Sequence, residues 1–73
     1  MSNADLTLDV RNLPPPEPLE RCLEKIWELA GDQRLHLLID REPHPLFAIL
    51  DRHGFEHSCL PENGYFKVSI WCR

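Results

Sequence analysis

The sequence predicts a small α/β domain, a two-layer sandwich in which a mixed four-stranded sheet carries two helices on one face. Three observations lead to this fold class: apolar residues alternate in four short segments, they recur with helical spacing in two others, and the segments follow the order βαβαββ. Strands that are joined through a crossover helix run parallel, and right-handed crossovers place both helices on the same side. The other face of the sheet is therefore expected to be open.

The first strand is predicted over residues 5–11, where apolar and polar side chains alternate. Pro14 begins a run of three prolines that ends this strand, because proline cannot donate a hydrogen bond to a neighbouring strand. Pro16 or Pro18 then opens a helix, which is expected to end at Gly31. The stripe of this helix that should be buried consists of Leu19, Leu23, Ile26 and Ala30.

The second strand is predicted over residues 35–40, and a second helix opens at Pro45. The buried stripe of that helix should consist of Leu46, Ile49 and Leu50. Residues 55–60 and 65–72 alternate again and are separated by Asn63-Gly64, which is a strong hairpin signal. The last two strands are therefore expected to pair directly.

Length and composition bound the organisation. The chain has 73 residues, which is enough for one domain over residues 5–73. Met1 to Ala4 are interpreted as a polar lead-in, since Ser2-Asn3-Ala4 resembles the remnant of a cleaved affinity tag. Hydrophobic residues make up 42% of the chain and charged residues 27%, which is typical of a folded protein.

Charge, hydropathy and cysteine spacing exclude several classes of partner. The net charge of -4 and the lack of a Lys/Arg cluster argue against a nucleic-acid binder. No apolar run approaches the roughly 20 residues that span a bilayer, and no signal-peptide core is present, so neither a membrane partner nor export is expected. Three cysteines without a CxxC pair fit a reducing, cytoplasmic location.

Residues 8–19 read LDVRNLPPPEPL and resemble the signature of TusA-like (SirA-like) sulfur carriers, Leu-Asp-x-Arg-Gly-Leu-x-Cys-Pro-x-Pro. The matching residues are Asp9, Arg11, Leu13, Pro16 and Pro18. Asn12 replaces the glycine, and Pro15 stands where the carriers keep their reactive cysteine. A persulfide carrier needs a thiolate, so the resemblance implies the fold while Pro15 removes that chemistry from this position.

A second resemblance is closer. The Pro-Pro-x-Pro variant, together with Pro45-Leu46 and His53-Gly54-Phe55, is similar to an uncharacterised bacterial family of TusA-like domains. Members of that family occur alone or beside hemerythrin-like or cupin-like domains. The resemblance implies a non-catalytic accessory module linked to bacterial redox, sulfur or nitrogen metabolism.

The carboxyl ends of the first two strands and the starts of both helices should share one rim, where helix dipoles and free N–H groups favour anions. The residues expected there are Asp9, Arg11, Pro15, Pro16, Glu17, Pro18, Asp40, Arg41 and His44. A purely structural alternative is that Asp9 and Arg11 form an ion pair on one face and Glu17 complements the first helix dipole. Asp40 or His44 would then satisfy the first turn of the second helix.

A second candidate surface is the open face of the sheet. Leu38, Tyr65 and Trp71 are expected on it and would form a patch for a partner protein or for a second subunit in a homodimer. The alternative is that they are ordinary scattered exposed residues.

Cysteines and histidines offer weaker sites. Cys22 and Cys59 are expected to be packing residues, which leaves Cys72 as the alternative thiol for sulfur relay. His53 and His57 have H-x-x-x-H spacing, but Gly54 interrupts the helix between them, so no metal site is expected.

The leading hypothesis is therefore a non-catalytic binding module for a protein partner, such as a redox protein, or for a small anionic ligand. No cofactor is expected, and no Ser/His/Asp spacing or phosphate-binding loop indicates an enzyme. The first alternative is a sulfur carrier that uses a displaced cysteine, and the second is a metal- or haem-binding module.

Overall fold

The computed structural model describes residues 5–73, so the lead-in interpretation of residues 1–4 lies outside the described residues. The elements follow the order β1 (Leu6–Asp9), α1 (Glu17–Ile26), β2 (Arg34–Ile39), α2 (His44–Arg52), β3 (Phe55–Pro61) and β4 (Phe66–Cys72). They form a four-stranded mixed sheet with the strand order β1-β2-β4-β3. The predicted fold class and the βαβαββ order are confirmed.

The strand that comes last in the sequence lies inside the sheet. β1 runs parallel to β2, with Leu8 opposite Leu37. β4 runs antiparallel to β2 on one side and to β3 on the other, so that Val68 lies between Leu37 and Cys59. β3 therefore points in the same direction as β2, as its crossover helix requires, but is separated from it by β4.

The core lies between the sheet and the two helices. Alternation along β2 buries Leu35 and Leu37 completely, whereas His36 between them is only half-buried. The buried apolar residues are Val10, Cys22, Ile26, Leu35, Leu37, Ile39, Leu46, Leu50, Phe55, Val68 and Ile70. No polar or charged residue among residues 5–73 belongs to the buried class. The predicted core residues Leu19, Leu23, Ala30 and Ile49 are half-buried.

The first helix ends at Ile26, so the predicted end at Gly31 is wrong by more than one turn. The Glu28 N–H donates to the Lys25 carbonyl at 3.0 Å, three residues back rather than four. This is the tighter hydrogen-bond pattern of a 3₁₀ turn, which often ends an α-helix. The Ala30 N–H then bonds the side-chain oxygen of Gln33 at 2.9 Å, in the turn that leads into β2. The chain must reverse before β2 begins, and this requirement overrides the local glycine signal.

The first strand also ends earlier than predicted, at Asp9 rather than Arg11. The Val10 N–H still donates to the Leu38 carbonyl at 2.9 Å. The Arg11 N–H instead donates to the Asp9 side chain at 3.0 Å, and Asn12 turns into the left-handed region with φ of 68°. A local side-chain hydrogen bond thus competes with the ladder and ends the strand.

Neither helix in the described part of the chain has the length and apolar character needed to cross a membrane.

Candidate functional site

The rim formed by the ends of β1 and β2 and the starts of α1 and α2 encloses a pocket of about 550 Å³. Apolar side chains form most of its walls. The lining residues are Val10, Leu13, Pro15, Pro16, Pro18, Leu19, Cys22, Leu37, Ile39, Asp40, Arg41, Glu42, Pro43, Pro45 and Leu46. The rim predicted from the sequence is therefore a concave, largely apolar site.

Prolines from two loops define the entrance of the pocket. On one side Pro14 accepts a hydrogen bond from the Glu17 N–H at 3.1 Å, and the peptide bond between Pro15 and Pro16 is cis. On the other side the carbonyl of Pro43 accepts the N–H of Leu46 at 2.9 Å, at the start of α2. Proline supplies no N–H, so these loops offer few backbone donors to a ligand.

Three consecutive charged residues lie where β2 leaves the sheet and contribute to the pocket lining, namely Asp40, Arg41 and Glu42. An oxygen of Asp40 accepts the N–H of Asn12 at 2.6 Å, which ties the β1 loop to the end of β2. Glu42 approaches the exposed His44 at 3.7 Å. No ion-pair partner for Arg41 is found within residues 5–73.

Arg11 does not line this pocket. Its guanidinium makes a bidentate pair with Asp9, with N–O distances of 2.9 and 2.8 Å, and lies 4.8 Å from the centroid of the Tyr65 ring on the open face. Hydrogen bonds from the Arg11 side chain, and then from its backbone, lower the pKa of Asp9 to about 2. Asp9 and Arg11 are thus paired as the alternative prediction expected, although Arg11 lies beyond the end of β1.

Glu17 and His44 also lie outside the pocket lining. Glu17 pairs with Arg21 along the first helix at 3.6 Å. The His44 side chain is 76% exposed. Of the residues predicted at the rim, the structure thus brings together Pro15, Pro16, Pro18, Asp40 and Arg41 around the pocket.

The predicted patch on the open sheet face is divided. Leu38 lies opposite Lys67, whereas Trp71 lies opposite Arg34, whose guanidinium carbon is 4.4 Å from the centroid of the Trp71 ring. The row formed by His36 and Ser69 runs between them. Tyr65 lies at the end that Leu38 occupies and is covered in part by Arg11.

The middle row of the open face contains an arrangement that the sequence analysis missed. His36 Nε2 lies 3.1 Å from an oxygen of Asp5, and His36 Nδ1 lies 3.1 Å from the hydroxyl of Ser69. The hydrogen bond to His36 is the largest cause that lowers the pKa of Asp5. These three residues are far apart in sequence and are brought together only by the register of the strands. No local spacing in the sequence therefore predicts this series of hydrogen bonds. β4 is paired on both sides, with β2 and with β3, so its backbone N–H groups point along the sheet and not out of the open face.

All three cysteines are free thiols. Burial raises the pKa of Cys22 to about 12, and it lies against the pocket. Burial and the nearby charge of Glu42 raise the pKa of Cys59. Cys72 is half-buried, packs against the core and lies opposite Phe55.

The histidines are dispersed. The His53 ring lies edge-on to Trp27 with 5.3 Å between the ring centroids, whereas the His57 ring stacks on Phe47 with 4.5 Å between the centroids. Within the described range, no three His, Cys, Asp or Glu side chains are grouped as metal ligands would be.

Comparison with known proteins gives one match. Residues 7–72 match the profile of a family described as an uncharacterized conserved protein, DUF2249. No curated protein and no solved structure gives a significant match. Since the matched segment includes every strand and helix apart from the first residue of β1, the chain belongs to the DUF2249 family.

Proposed function

We propose that this protein is a non-catalytic binding module, and that an apolar ligand or partner side chain enters the pocket between the proline segment and the start of α2. The observation that carries this proposal is the pocket itself. A volume of about 550 Å³ falls within the range of roughly 300–1,000 Å³ that is usual for ligand sites. A domain of 73 residues has little core to spare, so an open cavity beside it costs contacts that a ligand would restore.

The resemblance to TusA-like carriers agrees with this position. Pro15, which replaces the carriers' cysteine, lies in the pocket lining. Binding there would be non-covalent, because proline has no nucleophile. A cytoplasmic role in bacterial redox, sulfur or nitrogen metabolism, with a redox protein as partner, follows from the resemblance alone and is part of the proposal.

Sulfur relay through a displaced cysteine receives less support. The cysteine nearest the pocket, Cys22, is held as a neutral thiol by burial. Cys72 stays the candidate thiol of that alternative, and incubation with a persulfide donor followed by mass spectrometry tests it. A mass gain that Cys72→Ser abolishes would replace the binding proposal with the carrier.

Binding in the pocket can be measured with N-phenyl-1-naphthylamine, an uncharged dye whose emission rises in apolar surroundings. We expect saturable emission with one site per chain. Leu13→Glu should abolish it, because Leu13 lines the pocket and a carboxylate there disfavours an apolar ligand. Leu60→Glu is the matched control, since Leu60 is 56% exposed on the open face.

Circular dichroism must show that both variants remain folded. If Leu13→Glu unfolds the chain, Pro45→Glu introduces the charge at an exposed lining residue where a first-turn acidic side chain suits the helix. Dye binding that survives in the folded pocket variant, or that Leu60→Glu removes, would overturn the proposed site.

A further inference from the structure

We call the exposed part of the pocket lining formed by Asp40, Arg41 and Glu42 the mouth of the pocket. The mouth carries more negative than positive charge. Asp40 and Glu42 contribute two carboxylates to the lining and Arg41 contributes one cation. Arg11, the other cation near Asp40, is balanced by Asp9 at 2.8 Å, and His44, 3.7 Å from Glu42, adds a positive charge only when it is protonated. A charged ligand at the mouth therefore meets a net negative site, on a chain whose overall charge is -4.

The proline segments around the mouth offer few N–H groups that could compensate for those carboxylates. Anion sites at helix starts depend on free N–H groups, and both helices here begin with proline in the first turn. Lining residues Pro15, Pro16, Pro18, Pro43 and Pro45 have no N–H to offer. The N–H of Asn12, which does face this region, is taken by Asp40 at 2.6 Å.

We propose that the ligand of this pocket is a small molecule with an apolar body and a positive charge, such as an alkyl or aryl amine. The apolar body fills the proline-lined cavity while the cation lies between Asp40 and Glu42. This inference rests on the proposed function of the pocket. It favours a cation over the small anion that the sequence predicted.

Three ligands of similar size and different charge test the inference: 4-phenylbutylamine, 4-phenylbutanol and 4-phenylbutyrate. Binding is followed by the amide NMR shifts of pocket residues such as Leu13, Leu19 and Leu46. We expect the amine to bind about tenfold more tightly than the carboxylate, with the alcohol between them, and the difference to shrink as salt is added.

Matched variants locate the charge effect. Glu42→Gln should reduce the preference for the amine to about threefold, and Arg41→Gln should increase it. Glu24→Gln makes the same change in net charge on the exposed side of α1 and should leave the preference unchanged.

The outcomes separate the two proposals. If all three ligands bind and the carboxylate equals or exceeds the amine, the inference is overturned while the pocket stays a binding site. If the pocket amides respond to none of the three, both proposals fail. An effect of Glu24→Gln equal to that of Glu42→Gln would also overturn the inference, because the preference would then reflect overall charge.

Discussion

The pocket and the open sheet face are both accessible surfaces, but their side chains are used differently. Around the pocket, mostly apolar side chains line a cavity, together with Asp40, Arg41 and Glu42. On the open face several polar side chains are paired with one another, as Arg11 is with Asp9 and His36 is with Asp5 and Ser69. Polar groups that already have hydrogen-bond partners gain little binding free energy from a new partner. Apolar walls of a cavity gain more, because a ligand adds van der Waals contacts that they do not yet make.

The largest expected effect comes from a comparison of two adjacent leucines. Leu37 is fully buried beneath the pocket, whereas Leu38 is half-buried on the open face. Leu37→Ala should lower the free energy of unfolding by about 2–5 kcal/mol and Leu38→Ala by about 1 kcal/mol or less. Urea denaturation of both variants measures the difference. Equal losses would mean that the open face is packed against something in solution and is not open.

A second prediction concerns the ion pair that separates Arg11 from the pocket. Arg11→Gln should raise the pKa of Asp9 from about 2 toward its ordinary value of 3.8, without reaching it because the backbone hydrogen bond at residue 11 can persist. NMR titration of the Asp9 carboxyl measures the shift. Arg41→Gln removes the same charge at the mouth and should leave the titration of Asp9 unchanged.

The sign of the pH dependence follows from that shift. The folded state holds the pKa of Asp9 below its unfolded value, so the pair stabilises the fold above about pH 4 and loses that contribution as the pH falls toward 2. Arg11→Gln should flatten this part of the stability profile. An Asp9 pKa near 2 in the variant would show that Arg11 is not its cause.

The smallest expected effect is at Glu17, which the sequence placed at the rim. Glu17→Gln removes a half-exposed pair with Arg21, so the loss of stability should be under about 0.5 kcal/mol. Binding of N-phenyl-1-naphthylamine should change less than about twofold, because Glu17 is not in the pocket lining. A larger loss of affinity would show that the binding site includes Glu17 at the start of α1.

Local periodicity explains which parts of the fold the sequence predicts well. Alternation directly reports which side of a strand is buried, so Leu35, Leu37 and Ile39 are identified without a structure. The same pattern cannot report which strand lies alongside, and the pairing of β4 with β2 depends on contacts between residues about thirty positions apart. The strand order therefore had to come from the structure.

The site shows the same division between local and distant information. The proline cluster predicts a rigid entrance because each proline constrains its own backbone. The sequence allowed Arg11 either to face the rim or to pair with Asp9, and only its distances to Asp9 and Tyr65 decide for the pair. The hydrogen bonds that join Asp5, His36 and Ser69 cannot be predicted from sequence spacing, because the pairing of the strands brings these residues together.

The interior position of β4 has a consequence for how the protein is made. A ribosome completes β1, α1, β2, α2 and β3 before it adds Phe66–Cys72, yet β3 joins the sheet only through that strand. A nascent chain that stops before Phe66 leaves one edge of β2 and the whole of β3 without a partner. The sheet therefore cannot assemble until Phe66–Cys72 has been synthesised, and truncation near residue 66 should yield a chain that proteases degrade rather than a smaller version of the fold.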